Sequence, residues 1–399
     1  MNRYILINSL AFGGAERVAI NLYNFLNFSK IFLLEKDVKY QLNNQQIEFL
    51  SDHHIKFSPI LKSLFIPIYA WRLAKKIRSD SIIVSMLERA NYVNILASLL
   101  SKHKTIISVH MSQSVGRSKL HPYNLLTRIL YPKADIIISV SEGIKSELEK
   151  FYKIQPQKIK VIYNPIDFKD IQEKMQEELK EYEDIFCNPV LINIGRLTRQ
   201  KGQWFLLRIY KALKDDFPML KLVILGDGEL RNYLFKISTE LGLKTFMWDK
   251  DDLSSDFDVY FLGFQKNPFK FIAKSALFVL PSLWEGFPMV LLESLACGVP
   301  IISSDCQSGP REILAPNTNL LKKIQKPEFG EYGILMPAFE NKFQNAEDPL
   351  TEKEKIWVET LKEFLKNESL RKEYSKKAKE RAVDFSAEKI IDQWKKLLG

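Results

Sequence analysis

Between Leu277 and Glu312 the chain reads LFVLPSLWEGFPMVLLESLACGVPIISSDCQSGPRE, and that stretch leaves it few ways to fold. Residues 277–280 form a short apolar run of the kind that fills a fully buried strand, and 281–287 are rich in turn formers. Pro288 stands where the first turn of a helix tolerates proline, and the helix predicted from there runs to about Cys297. Gly298 offers a left-handed helix end, Pro300 forbids continuation, and 299–303 read as the next strand. A strand, a loop, a helix and a second strand in that order make a unit whose two strands lie parallel.

Apolar runs of the same kind recur at 4–8, 30–34, 82–86, 105–109, 136–140, 160–162, 190–194, 222–225 and 259–262, separated by helical patterns. Such alternation predicts parallel sheets with helices on both faces. With 399 residues the chain is long enough for two domains, each with its own core, and 46% hydrophobic with 27% charged residues is a globular composition. Low-complexity tracts and solenoid-period repeats are absent from the sequence.

Two carboxylates punctuate the opening stretch. Glu285 lies in the loop before the helix and Glu293 in its second turn, so at roughly 1.5 Å rise per residue they serve groups several ångströms apart, which argues against their chelating one metal. The helix N-terminus beside them suits an anion such as a diphosphate. Carboxylates at such a site make sense as acceptors from hydroxyls, and a sugar hydroxyl and a ribose hydroxyl would satisfy both. Glu293 is set among Val290, Leu291, Leu292, Leu295 and Ala296, and a carboxylate in so apolar a helix needs a partner.

Other positions beyond strand ends carry chemistry of the same sort, because ligands of parallel sheets bind there. Gly13 and Gly14 separate the first strand from a helix over 15–25, His110 directly follows the 105–109 strand, and Arg196 and Lys201 share one glycine-flanked loop after 190–194. Two cations so placed can neutralise a diphosphate whose charge rises as it leaves, although generic surface basicity explains them equally well from spacing alone. Gly226-Asp227-Gly228 is an incomplete dinucleotide fingerprint. The pairs Asp249 with Asp251 and Asp256 with Asp258 sit in a polar insertion, 244–258, that reads as flexible and solvated rather than metal-binding. No metal and no cofactor is expected.

The net charge of +10 is unevenly spread. Residues 53–79 contain no acid, but they hold Lys56, Lys62, Arg72, Lys75, Lys76 and Arg78 among Phe57, Leu61, Leu64, Phe65, Ile66, Ile68, Tyr69 and Trp71. Residues 89–134 repeat the pattern with Arg89, Lys102, Lys104, Arg117, Lys119, Arg128 and Lys133. Basic and apolar together suggest an anionic membrane surface, with ordinary core-facing amphipathic helices as the alternative; nucleic acid lacks any accompanying motif. Cys187, Cys297 and Cys306 have no metal-ligand spacing, the N-terminal apolar run is short for a secretory signal, and nothing approaches bilayer-spanning length. The expected location is cytoplasmic, peripheral on the inner face of the cell membrane.

The EGFPMVLLE motif, a Glu, seven residues and a Glu followed by a Gly-x-Pro exit, resembles the retaining nucleotide-sugar glycosyltransferases of GT-B family four. The likeness extends over nearly the whole chain, through Gly13-Gly14-Ala15-Glu16-Arg17, Ser141-Glu142-Gly143, Asn164-Pro165-Ile166-Asp167, the Gly195–Gly202 loop, Gly263-Phe264 and the 303–312 run. It implies two Rossmann-like domains facing a cleft: 1–165 on the acceptor side, completed by a C-terminal helix at about 386–399, a linker at 166–187, and a donor-binding domain at 188–385. The resemblance places Arg196 and Lys201 on the donor diphosphate, with Gly13 and Gly14 closing over it and Gly286, Phe287 and Pro288 lining it. It places Gly263 and Phe264 at the nucleobase, Glu293 at the ribose, and Glu285 and His110 at the donor sugar.

The implied activity is transfer of a hexose or N-acetylhexosamine from a nucleotide diphosphate sugar to a lipid-linked oligosaccharide. A uridine diphosphate donor of the galactose or N-acetylgalactosamine type is favoured by the 303–312 run. Same-face departure and attack is the expected route, and double displacement on Glu285 stays open. Two other classes remain at this point, a nucleotide-sugar epimerase of the same architecture and a non-enzymatic module that binds anionic lipid.

Overall fold

The computed structural model describes residues 2–11, 13–39, 46–51, 59–112 and 121–399. It divides into two compact units, residues 1–166 with 385–399, and residues 167–384.

The first unit is built on seven strands: β1 (Arg3–Ile7), β2 (Lys30–Leu33), β3 (Ile47–Phe49), β4 (Ile82–Met86), β5 (Lys104–Val109), β6 (Ile136–Ser139) and β7 (Ile159–Val161). They lie in the order β3-β2-β1-β4-β5-β6-β7, and every pair is parallel. All five residues of β4 are buried, as a central strand covered on both faces requires. The Glu88–Ser101 helix is fastened to the sheet by polar side chains: Asn94 donates to the carbonyls of Ile83 and Ile106, each at 3.2 Å, and Asn91 donates to that of Ser108 at 3.0 Å. His103 bonds Asn94 Oδ1 through Nε2 at 2.8 Å, and burial lowers its pKa to about 4.

The C-terminal Ala387–Leu398 helix belongs to this unit. Ile166 N–H donates to the Phe385 carbonyl and Ala387 N–H to the Ile166 carbonyl, both at 2.9 Å, while Ile390, Ile391, Trp394 and Leu397 are buried.

The second unit holds β8 (Val190–Ile194), β9 (Lys221–Leu225), β10 (Thr245–Met247), β11 (Val259–Phe261), β12 (Leu277–Leu280), β13 (Ile301–Ser304), β14 (Glu328–Phe329) and β15 (Ile334–Met336). Their order is β10-β11-β9-β8-β12-β13-β15-β14, parallel throughout except for the antiparallel β14. Phe205 stacks on Phe339 with ring centroids 4.2 Å apart, and Phe339 on Trp357 at 5.1 Å. Beside them a fully buried Arg208 binds Glu354 at 2.6 Å, and its other nitrogens donate to the carbonyls of Asn345, Asp348 and Pro349.

One expectation changes. The 244–258 insertion is not a loose solvated loop, because it contains edge strand β10. Asp251 accepts from the Met247 N–H at 2.8 Å, Asp258 pairs with Lys214 at 2.8 Å and Asp249 pairs with Arg231. The 168–186 segment packs on the second unit: Ile171, Leu179 and Ile185 are buried, and Gln172 donates to the Ala296 carbonyl at 2.8 Å.

The acid-free basic stretches, finally, find acids elsewhere. Glu35 takes Lys62 and Arg89, and Glu48 takes Lys30 and Lys76. Lys56 and Phe57 of the first stretch, and Arg117 and Lys119 of the second, lie outside the described residues.

Candidate active site

In the second sheet the strand order reverses between β8 and β12, whose successors β9 and β13 run outward on opposite sides. Ligands of open parallel sheets lie beyond the C-terminal ends of the strands at such a point. The β8–β12 ladder pairs Leu191 with Leu277 and Ile192 with Phe278; next to it the buried Asn193 side chain donates to the Val279 carbonyl at 2.8 Å. The two loops that follow, 195–202 and 281–288, therefore start side by side.

They meet through glycine. Gly202 holds φ +63°, and a Cβ there would come 2.6 Å from the Pro281 carbonyl oxygen, so a side chain would be excluded twice over. Leu283 N–H donates to the Gln200 carbonyl at 2.8 Å, and the Gln200 side chain donates to the Trp284 carbonyl at 2.9 Å. This stitching brings Lys201 Nζ to 2.6 Å from Glu285 Oε1, with Glu285 only 5% exposed and the lysine largely buried. Ser282 Oγ donates to the same oxygen at 2.7 Å, and Gln200 Nε2 lies 3.4 Å from Oε2. Arg196, on the same loop, is exposed.

The far side of the Glu285 loop is braced by 305–309. Ser308 Oγ donates to the Gly286 carbonyl at 2.9 Å, and Gly309, at φ +89°, approaches that carbonyl and Pro288 too closely for any Cβ. This brace is itself held by Arg311, which pairs with Asp305 at 2.6 Å and Glu328 at 2.7 Å. Burial raises the Asp305 pKa against the opposing pull of that guanidinium. Part of the 303–312 run is thus scaffolding for the Glu285 loop.

Phe287 is buried, and Pro288 caps the Met289–Ala296 helix without a side-chain hydrogen bond of its own. Glu293 is 4% exposed on this helix among fully buried Leu291, Leu292 and Leu295. Further along the sheet, Gly226 N–H donates to the Gly263 carbonyl at 2.8 Å; Gly263 packs against the Trp248 ring, and Phe264 is 44% exposed.

The remaining sequence candidates belong to the first unit. Gly13 is the extended N-cap of the Gly14–Phe25 helix, which also lacks a side-chain cap. His110 is buried at the end of β5 with Nε2 3.0 Å from Ser108 Oγ, and burial lowers its pKa to about 4, so near neutral pH it is an uncharged ring. The structure thus joins Lys201 and Glu285 directly and gathers Arg196, Gly286, Phe287 and Pro288 on the same two loops.

Sequence reading passed over Ser282 and Gln200. Their only signal was adjacency, Gln200 beside Lys201 and Ser282 one turn before Glu285. No cluster of metal-binding side chains occurs among the described residues.

Two such sheets with this loop constellation define a GT-B glycosyltransferase. Anabaena HepE, solved in complex with UDP and glucose, matches with a TM-score of 0.75 at 19% identity, covering 100% of this chain and 99% of that one. The model described as Glycosyltransferase Family 4 matches residues 12–170, and that of Glycosyl transferases group 1 matches residues 172–328.

A Campylobacter jejuni relative is 33% identical over 406 residues, 99% of either chain. It is named N-acetylgalactosamine-N,N'-diacetylbacillosaminyl-diphospho-undecaprenol 4-alpha-N-acetylgalactosaminyltransferase. An uncharacterized glycosyltransferase of Methanocaldococcus jannaschii is 43% identical over 279 residues, 69% of this chain and 66% of that one. The chain belongs to the family 4 glycosyltransferases, which sets aside the epimerase and the lipid-binding module as its main activity.

Proposed function

We propose that this glycosyltransferase moves a hexose or N-acetylhexosamine from a uridine diphosphate sugar to a lipid-linked oligosaccharide in surface glycan synthesis, with retention at the anomeric carbon. The observation that carries the reading is the buried Lys201–Glu285 pair where the loops after β8 and β12 converge. A cation there faces the departing diphosphate, together with Arg196 and the helix N-terminus at Pro288, and stabilises charge that develops only as the bond to the sugar breaks. Glu285 accepts from hydroxyls of the donor sugar and Glu293 from the ribose. Gly263 and Phe264 are assigned to the nucleobase, and Gly13, Gly14 and His110, as a neutral hydrogen-bonding ring, to the donor from the first unit.

Bond cleavage leaves its electron pair on the diphosphate oxygen. The acceptor hydroxyl attacks from the same face, and its proton passes to that phosphate. A carboxylate held by a hydroxyl and an amide is a weakened nucleophile, which favours this route over double displacement on Glu285.

The polyprenyl-linked acceptor is supported by the name of the Campylobacter relative, and the uridine nucleotide by the HepE complex. A peripheral membrane seat is supported by the first unit. Ile66, Tyr69, Ala70 and Leu73 of the Ile66–Lys76 helix are buried, yet Ile68 and Trp71 on the same helix are exposed, as are Leu61 and Leu64 before it. No helix among the described residues is long and apolar enough to cross a membrane.

The test incubates purified protein with a panel of nucleotide sugars, with and without a polyprenyl diphosphate-linked acceptor, and assigns the product's anomeric configuration by NMR. Acceptor-dependent transfer from a uridine diphosphate sugar with retention is expected. Transfer with inversion, or wild-type turnover in Lys201→Ala, overturns the reading.

A further inference from the structure

We infer that Ser282 and Gln200 are positioning residues for Glu285, keeping its carboxylate oriented when Lys201 turns to the donor diphosphate. The inference rests on the donor reading above and concerns what happens inside that site as the donor arrives.

Glu285 meets three donors: Lys201 Nζ at 2.6 Å and Ser282 Oγ at 2.7 Å on Oε1, and Gln200 Nε2 at 3.4 Å near Oε2. Only one of these is a cation. A diphosphate beside Lys201 competes for the same ammonium, and Glu285, 5% exposed, then sits next to new negative charge with part of its own compensation withdrawn. A buried carboxylate in that position moves unless other donors hold it.

Both remaining donors are suited to stay. Ser282 is fully buried and lies on the Glu285 loop itself, so its hydroxyl travels with the carboxylate. Gln200 is anchored at two points away from the ammonium, through its amide on the Trp284 carbonyl at 2.9 Å and its backbone carbonyl on the Leu283 N–H at 2.8 Å. Neither contact depends on Lys201 Nζ. The adjacency of Gln200 and Lys201 places the cation and the amide on one short turn, Arg199–Lys201, closed by Gly202.

The experiment measures kcat and donor KM against pH for Ser282→Ala and for Gln200→Met, which keeps side-chain length and removes the amide donor. Loss of a hydrogen bond to a charged group lowers kcat about ten- to a hundredfold, with donor KM changed far less. The direction of the pH effect follows from the chemistry. Removing a donor to the ionised form makes the carboxylate easier to protonate, so the acid limb of kcat moves to higher pH.

Ser282→Thr, which keeps the hydroxyl, returns the limb towards its wild-type position. A structural role alone lowers the melting temperature and leaves the limb where it is. Folded Ser282→Ala and Gln200→Met proteins with wild-type kcat and an unmoved acid limb overturn the inference, provided Glu285→Gln is inactive. Wild-type turnover in Glu285→Gln overturns the donor reading and this inference together.

Discussion

The two units use one architecture and treat charge in opposite ways. In the second, the loops at the switch point bury an ammonium against a carboxylate and surround it with further donors, and a second buried pair, Arg208 with Glu354, sits behind the sheet. In the first, the corresponding strand ends carry a glycine pair and a neutral histidine, and the exposed face is apolar. A buried ion pair is a poor source of stability, since desolvation offsets most of the attraction. For the pair at the β8–β12 switch point the proposed role is work on an anion. The first unit's pair at its strand ends, Glu35 after β2 with Arg89 after β4, is more open on its acid side, where the carboxylate is 21% exposed against 6% for Glu285.

The sharpest way to break this contrast is at Lys201. Lys201→Ala should cut transfer from the donor by about 10²–10³-fold, as loss of one preorganised group facing developing charge does, whereas His110→Gln should cost nearer tenfold. Turnover assays under saturating donor decide it, and equal losses would erase the distinction between the units. Next in size is the other buried pair. Arg208→Met leaves Glu354 uncompensated and should destabilise the second unit by about 3–5 kcal/mol. Trp204, Trp248, Trp284 and Trp357 report that unit in fluorescence-monitored denaturation, and Trp71 and Trp394 report the first. An early transition confined to the former is expected.

For the first unit the matching experiment is acid. The His103 pKa is near 4 when folded, below the unfolded value of about 6.5, so the unfolded chain binds more protons between those limits. Its stabilising contribution, on the order of 3 kcal/mol, is present above the unfolded value and is lost as pH falls towards 4. Denaturation midpoints across that window should fall less steeply in a folded His103→Gln protein. Smallest is the surface. Leu64→Ser with Trp71→Ser should weaken flotation with anionic liposomes by about tenfold while stability changes by less than ~0.5 kcal/mol. Because Lys62 and Lys76 are tied to Glu35 and Glu48, added salt should matter less than these two substitutions.

Those last pairings show where sequence reading stops. The strand cores were legible because burial on both faces writes itself as continuous apolar runs, and β4, β8 and β12 occupy the residues expected of them. Lys201 and Glu285 were legible as chemical types beyond strand ends. Their contact spans 84 positions and exists only because the sheet sets β8 beside β12, a neighbour relation no local pattern carries. The same holds for Glu48, which reaches Lys76 of the basic run only on folding, and for β10, whose three residues, Thr245, Phe246 and Met247, are too short a signal inside a polar stretch. Ser282 was invisible because a serine in a turn has so many other uses.

The return of residues 385–399 to the first unit also orders events during synthesis. The ribosome starts that unit first and finishes it last, after the whole of 167–384 has emerged. Until then β7 and Ile166 lack the Phe385 and Ala387 partners, and the surface that receives Ile390 and Trp394 stands open. The second unit, uninterrupted in sequence, has everything it needs by Asp384. The nascent chain can therefore complete the second unit while the first is still waiting for its last helix.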